Sequence, residues 1–195
     1  MRTIIVAGFL GSGKTTFLLR AINYLHSKKL TFAMIINEFG DLGVDNQLFK
    51  QLGEKVWEVL GGCICCTSVS RFQQSLAEIR GIFEPDYLLI EPSGIANPVQ
   101  VKEGLSSCLK ETDNMRTLAL LDSDRIDGIL EFIHPLTVET VKMASTVLIT
   151  KIDIATPGGI EKAELFVDTH NPQAAVVKAS LHKPLDNAIM EVLFR

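Results

Sequence analysis

Gly8-Phe-Leu-Gly11-Ser12-Gly13-Lys14-Thr15 spells G-x-x-x-x-G-K-[ST], with an apolar run before it and an amphipathic stretch after it. Glycines at this spacing let successive backbone N–H groups turn inward around phosphate oxygens, and the helix that follows adds its positive N-terminal end. Lys14 then reaches the β- and γ-phosphates, the Thr15 hydroxyl binds Mg²⁺, and Thr16 stands near the α-phosphate. A second acidic element follows at Asp86-Tyr-Leu-Leu-Ile-Glu91-Pro-Ser-Gly94, an apolar run ending in a carboxylate and then a glycine. At the C-terminal end of a strand, Glu91 can hold Mg²⁺ through water or polarise the attacking water, and the Gly94 N–H can meet the γ-phosphate. Alone, such a glutamate is a loop charge. Downstream of a phosphate loop it reads as a second half of one site.

Thr150-Lys151-Ile-Asp153 follows another apolar run and fits [NT]-K-x-D. The Asp153 carboxylate would accept from guanine N1–H and N2–H₂. Adenine supplies neither donor, and an unpaired buried carboxylate penalises the wrong base. The stem of Lys151 would lie along the base plane. Thr150 keeps a hydroxyl where the common form has an amide. The order of the motifs favours GTP over ATP.

Leu60-Gly-Gly-Cys63-Ile-Cys65-Cys66 puts three sulfurs within four positions. Adjacent Cys65 and Cys66 are poor partners for a structural disulfide. A soft thiolate set suits Zn²⁺ or Cu(I), with one position left for exchange or for a fourth group. The competing reading is a group of small buried thiols, and that reading is adopted for Cys108.

These loops need a frame. Thr3–Ala7, Phe32–Ile36, Val56–Leu60, Tyr87–Ile90, Thr117–Leu121, Thr146–Ile149 and Ala174–Val177 read as strands that are apolar throughout, hence covered on both faces. Helical patterns follow the phosphate loop to about Lys28 and recur at Val69–Arg80, Asp124–Phe132, Thr137–Met143, Ile160–Thr169 and Leu185–Leu193. Thr156–Gly159 reads as a local loop. The alternation predicts an α/β fold of the P-loop NTPase kind, a three-layer sandwich with a mostly parallel sheet flanked by helices.

The chain has 195 residues, 47% of them hydrophobic and 22% charged, with 19 Lys+Arg against 23 Asp+Glu and a net charge of −4. The composition is that of a globular chain and predicts one domain over residues 1–195. A pI near 5.6 offers no electrostatic footprint for nucleic acid or an anionic membrane. The apolar start is too short and wrongly flanked for a signal peptide or a span. Clustered thiols in a chain with only four cysteines point to the reducing cytoplasm. The histidines, His26, His134, His170 and His182, are scattered along the chain.

Together, GFLGSGKTT (residues 8–16), INEFGDLGVD (36–45), GGCICC (61–66), IEPSG (90–94) and TKID (150–153) resemble the G domain of the CobW family, itself similar to the HypB and UreG nickel-insertion GTPases. The resemblance implies a GTPase using GTP/GDP and Mg²⁺. Its nucleotide state would be coupled to a transition metal, Zn²⁺ or else Co²⁺ or Ni²⁺, held by Cys63, Cys65 and Cys66. It implies a metallochaperone or a role in cobalamin-related cobalt handling. It also implies a switch segment at residues 37–45, in which Glu38 and Asp41 are hard donors for the metal or for Mg²⁺. Nucleotide-dependent homodimerisation is implied by resemblance alone. The family's C-terminal domain is expected to be absent, and the expected partner is a client metalloprotein or a separate partner subunit. Catalysis would rest on charge neutralisation by Lys14 and Mg²⁺, with Glu91 or a switch carboxylate orienting water. Arg71 is the nearest candidate for an arginine finger. The rivals are a non-enzymatic zinc or cobalt carrier that binds nucleotide as a structural ligand, and a P-loop kinase. The kinase leaves Asp153 and the cysteines unexplained.

Overall fold

The computed structural model describes residues 1–36, 56–58, 69–94, 97–109 and 114–194. Seven strands form one sheet in the order β3-β2-β4-β1-β5-β6-β7, and every neighbouring pair is parallel. The strands are β1 (Arg2–Gly8), β2 (Phe32–Ile36), β3 (Val56–Glu58), β4 (Tyr87–Glu91), β5 (Asn114–Asp122), β6 (Thr146–Thr150) and β7 (Ala175–Lys178). The helices are α1 (Lys14–Ser27), α2 (Val69–Ile82), α3 (Pro98–Ser106), α4 (Ile126–Phe132), α5 (His134–Met143), α6 (Pro157–His170) and α7 (Asn187–Phe194).

Side chains alternate across a strand, so an unbroken apolar strand must feed two cores. Ile4, Val6, Met34, Leu89 and Leu148 pack with α1 and α7 on one face. Ile5, Ile35, Leu88 and Ile90 pack with α2 and α3 on the other. Leu121, Val147 and Ile149 extend that second layer under α4, α5 and α6. This is the expected three-layer sandwich. On the first face the Phe194 ring of α7 lies 5.3 Å from both Tyr24, tilted, and Tyr87, edge-on, and the Tyr87 hydroxyl donates to the Phe194 carbonyl at 3.3 Å.

Four boundaries differ from expectation for physical reasons. A helix at Pro98–Ser106 has no counterpart among the expected elements. Its β-branched first turn hides the pattern, but Asn97 caps it by accepting from the N–H groups of Val99 and Gln100 at 2.9 and 3.2 Å, and Pro98 opens it. Thr156–Gly159 is not a loop: Pro157–Gly159 form the first turn of α6, capped by the Thr156 hydroxyl, which accepts from Gly159 N–H at 3.1 Å. A side chain at Gly159 would meet the Ser123 carbonyl at 2.6 Å, so the glycine allows a close approach to β5. Helix α4 starts at Ile126, not Asp124, because the Asp122 carboxylate takes the N–H groups of Asp124 and Arg125 into a turn. Helix α5 starts at His134, opened by a proline in its first turn. The last two residues of the third expected strand, Val59 and Leu60, lie outside the described residues.

The base of the sheet is pinned at one polar point. The Asp86 carboxylate accepts from the N–H and the hydroxyl of Thr31, both at 2.8 Å, and the Thr31 hydroxyl accepts from Asp86 N–H at 3.0 Å. These bonds fix the starts of β2 and β4 side by side, and they hold the Asp86 carboxyl below its ordinary value of 3.8. A folded-state value below the unfolded one adds stability above the unfolded value and loses it as pH falls through the folded one. Thr31→Val is expected to lower the melting temperature by about 2–4 °C at neutral pH. The gap to wild type should close as the pH is taken below about 3.8. A gap that is flat from pH 7 to pH 2.5 in thermal melts would contradict this assignment.

Candidate nucleotide site

The phosphate loop lies where β1 turns into α1, at the edge of the sheet where all parallel strands end. Gly8, Gly11 and Gly13 take φ of 151°, 74° and 97°, a backbone that side chains disfavour, and a Cβ at Gly8 would meet the Leu120 carbonyl at 2.7 Å. Gly13 caps α1 without a side-chain bond, and the first turn holds no acidic residue. The open N–H groups of that turn therefore suit an anion. Ser12 is buried with its hydroxyl against Gly8, so it serves through its backbone: its N–H donates to the Phe9 carbonyl at 3.1 Å. Lys14 is also buried, with Nζ 3.7 Å from Glu91 Oε1. Thr15 is half-buried and Thr16 exposed at the start of the helix. Gly94 packs on the loop, where a Cβ would come within 3.0 Å of Leu10 N. The fold thus brings Lys14, Glu91 and Gly94 to one side of the phosphate loop. The hydroxyl of Thr15 and the carboxylate of Glu91 are hard oxygen donors, of the kind Mg²⁺ prefers.

The base-reading segment sits two strands away. Thr150 is fully buried at the end of β6, and its hydroxyl donates to the Ser12 carbonyl at 2.9 Å. The threonine therefore ties the segment to the phosphate loop. Lys151 has a φ of 61°, a left-handed backbone unusual outside glycine. Its carbonyl accepts from the N–H groups of Ile154 and Ala155 at 3.1 and 3.0 Å. Its ammonium is 2.7 Å from Asp122 Oδ2. Asp153 is exposed, and the Ser180 hydroxyl is the main cause holding its carboxyl below the ordinary value, with the charges of His182 and Lys183 adding to the effect. His182 Nε2 lies 3.9 Å from Asp153 Oδ2. An exposed carboxylate held in its ionised form is the kind of acceptor that the guanine expectation calls for.

Four residues at this edge were not singled out in the sequence. Asp122 ends β5 with no solvent exposure. Its Oδ1 accepts from the N–H groups of Asp124 and Arg125 at 3.1 and 3.3 Å, and its Oδ2 from Arg125 Nε and Lys151 Nζ, both at 2.7 Å. Removing a partner from a buried charge costs about 3–5 kcal/mol, against roughly 0–1 kcal/mol for a surface pair. The carboxylate places this network nearer the first limit, although both cations are partly solvated. Arg125 then donates through Nη2 to the Leu10 carbonyl at 2.8 Å. Arg20 of α1 donates to the carbonyls of Leu181 and His182 at 3.2 and 3.1 Å and so holds the loop that carries Ser180. In the sequence the only signal was position: each follows a strand that ends on the nucleotide edge.

The cysteine cluster and the switch carboxylates, Cys63, Cys65, Cys66, Glu38 and Asp41, lie outside the described residues. So do the side chain of Arg71 and most of residues 37–68. The strand ends that flank them are described. Ile36 is in register with Glu58 of β3 on one side and with Glu91 of β4 on the other. The chain leaves for residues 59–68 from that row, about 10 Å from Glu91 at the usual strand spacing. Cys108 is half-buried, packs on the second core and donates to the Gly104 carbonyl at 3.2 Å, as expected of a packing thiol. The histidines are less scattered than the sequence suggests: His134 and His170 meet with ring centroids 5.9 Å apart beside Phe166. Among the described residues no three His, Cys, Asp or Glu side chains gather in a metal-binding group, and no helix is long and apolar enough to cross a membrane.

Comparison with known proteins agrees with this geometry. The family model "CobW/HypB/UreG, nucleotide-binding domain" matches residues 2–178. The chain is 30% identical over 197 residues to the zinc chaperone YjiA of Escherichia coli, covering 95% of this chain and 59% of the relative. It is 37% identical over 123 residues to the zinc chaperone YeiR of the same organism, covering 62% and 37%. The chain thus spans between about a third and three fifths of the length of these relatives. Among solved structures, the hydrogenase maturation factor HypB of Archaeoglobus fulgidus superposes with a TM-score of 0.70 at 16% identity, over 99% of this chain and 88% of that one. At such identity the likeness concerns the fold alone. With the model spanning nearly the whole sequence, the chain belongs to the CobW/HypB/UreG family of nucleotide-binding domains.

Proposed function

We propose that the chain binds and hydrolyses GTP, and that its nucleotide state governs a transition-metal site formed by Cys63, Cys65 and Cys66, with zinc as cargo for a metalloprotein client in the cytoplasm. The observation that carries the reading is the row Glu58–Ile36–Glu91, which starts both candidate effector segments beside the phosphate-loop lysine. The names of the relatives support it: YjiA is described as a zinc chaperone and, in a Zn(II)-bound crystal structure, as a GTPase.

The chemistry follows from the residues in place. The open N–H groups of the loop and of α1 receive the phosphates. Lys14 neutralises charge that develops on the transferred phosphoryl group, and Glu91 orients the attacking water, a role that its ion pair with Lys14 supports. Mg²⁺ bound by Thr15 would supply further charge neutralisation at the phosphates. Asp153 selects guanine, and Thr150 fixes the spacing between base and phosphate loops. In this reading γ-phosphate loss is sensed by the switch segment that follows β2, and β3, which leads to the cysteines, is the neighbouring strand.

Multiple-turnover phosphate release from GTP, measured with and without Zn²⁺, tests the reading directly. Lys14→Ala is expected to reduce turnover by about 10²–10³-fold or more. Undiminished turnover in that variant would remove the phosphate-loop assignment. Asp153→Asn should trade guanine for xanthine nucleotide, because the new amide donates to the xanthine 2-oxo group where the carboxylate accepted. Competition binding of GDP, XDP and ADP reads this out, and a wild type that binds ADP as well as GDP would refute the guanine assignment.

A further inference from the structure

One carboxylate oxygen, Asp122 Oδ2, holds two cations that belong to two different halves of the site. Lys151 comes from the base-reading segment, and its left-handed backbone turns it toward Asp122. Arg125 uses Nε for Asp122 and Nη2 for the Leu10 carbonyl, at the crest of the phosphate loop. A Cβ at the next residue, Gly11, would lie 2.8 Å from the same guanidinium, so the loop is shaped around it. The planar fork of arginine allows one side chain to span both acceptors in a fixed geometry. With both cations in place the oxygen has no access to solvent, so drawing one cation away leaves its charge more dependent on the other. Whatever draws Lys151 toward a base therefore shifts charge onto the Arg125 contact, and whatever moves the Leu10 carbonyl changes the hold on Lys151.

We propose that Asp122 and Arg125 are positioning residues that make base recognition and phosphate-loop conformation one cooperative unit, through the chain Lys151–Asp122–Arg125–Leu10. The proposal rests on the guanine-nucleotide reading above. Neither residue is needed to touch the nucleotide. Thr150 provides a second, direct tie to Ser12, so losing the chain loosens the unit without dismantling it. A purely structural pair would weaken every nucleotide alike. A coupling pair must alter base discrimination from a side chain that lies on the phosphate loop.

The test is a triple-mutant cycle on the full chain with fluorescent GDP and ADP. Arg125→Ala is expected to weaken GDP roughly tenfold and to lower the preference for GDP over ADP. Arg125→Lys should fail to rescue, since one ammonium cannot replace the fork. Arg125→Ala and Lys151→Met should be non-additive by roughly tenfold, and in an Asp122→Asn background the same pair should become additive within about twofold. Multiplicative effects in the wild-type background, or an unchanged GDP/ADP ratio in Arg125→Ala, would overturn the proposal, and both can be read even if Asp122→Asn does not fold. Equal wild-type affinity for GDP and ADP would instead remove the guanine reading, while the cycle on GDP alone would still decide the coupling.

Discussion

A sheet whose strands all run parallel must deliver every strand end to the same edge, and the whole site depends on that constraint. Each crossover returns the chain to the far edge, so the phosphate loop after β1, Glu91 after β4, Asp122 after β5 and Thr150 after β6 share one rim. The order β2-β4-β1-β5-β6 then sets who neighbours whom. The acid falls on one side of the phosphate loop and the base reader on the other. The strand pairing itself carries no chemistry, but without it none of these residues would meet.

Buried polar contacts then turn proximity into geometry. The Thr150 hydroxyl on the Ser12 carbonyl is made between buried groups, and the two cations close over a buried Asp122 carboxylate. Such contacts are expensive to break and so hold loops to a fixed spacing. Arg20 plays a similar part for the loop that presents Ser180 to Asp153. The loops of the site are irregular in backbone yet tied at named atoms.

Much of this was legible in the residues. The apolar runs named the strands because a two-faced sheet needs apolar residues on both sides, and the glycines of Gly8–Thr15 named the tight loop after β1 because few other residues allow its backbone. What was hidden obeyed weaker signals. Helix α3 begins Pro-Val-Gln-Val, which resembles a strand until the Asn97 cap is seen. Thr-Pro-Gly-Gly has loop composition, yet Thr156 caps and Pro157 starts a helix whose glycine is required by a close approach to Ser123. Asp122 and Arg125 sit in Leu-Asp-Ser-Asp-Arg, which fits no motif, and only the sheet order brings Leu10 to Arg125 across 115 positions. Thr150, which has a hydroxyl where the common motif has an amide, is buried and bonded to the phosphate loop.

The proposed link between nucleotide and metal comes from the row Glu58–Ile36–Glu91, where the strand leading to the thiolates adjoins the strand leading to the switch. Two sites that bias one two-state element must influence each other's affinity by the same factor. The decisive measurement is Zn²⁺ affinity of the GDP-bound protein against that of the protein bound to a non-hydrolysable GTP analogue. The account predicts affinities that differ by roughly 5–150-fold, with the difference lost in Cys65→Ser. Equal affinities in the two nucleotide states would contradict it.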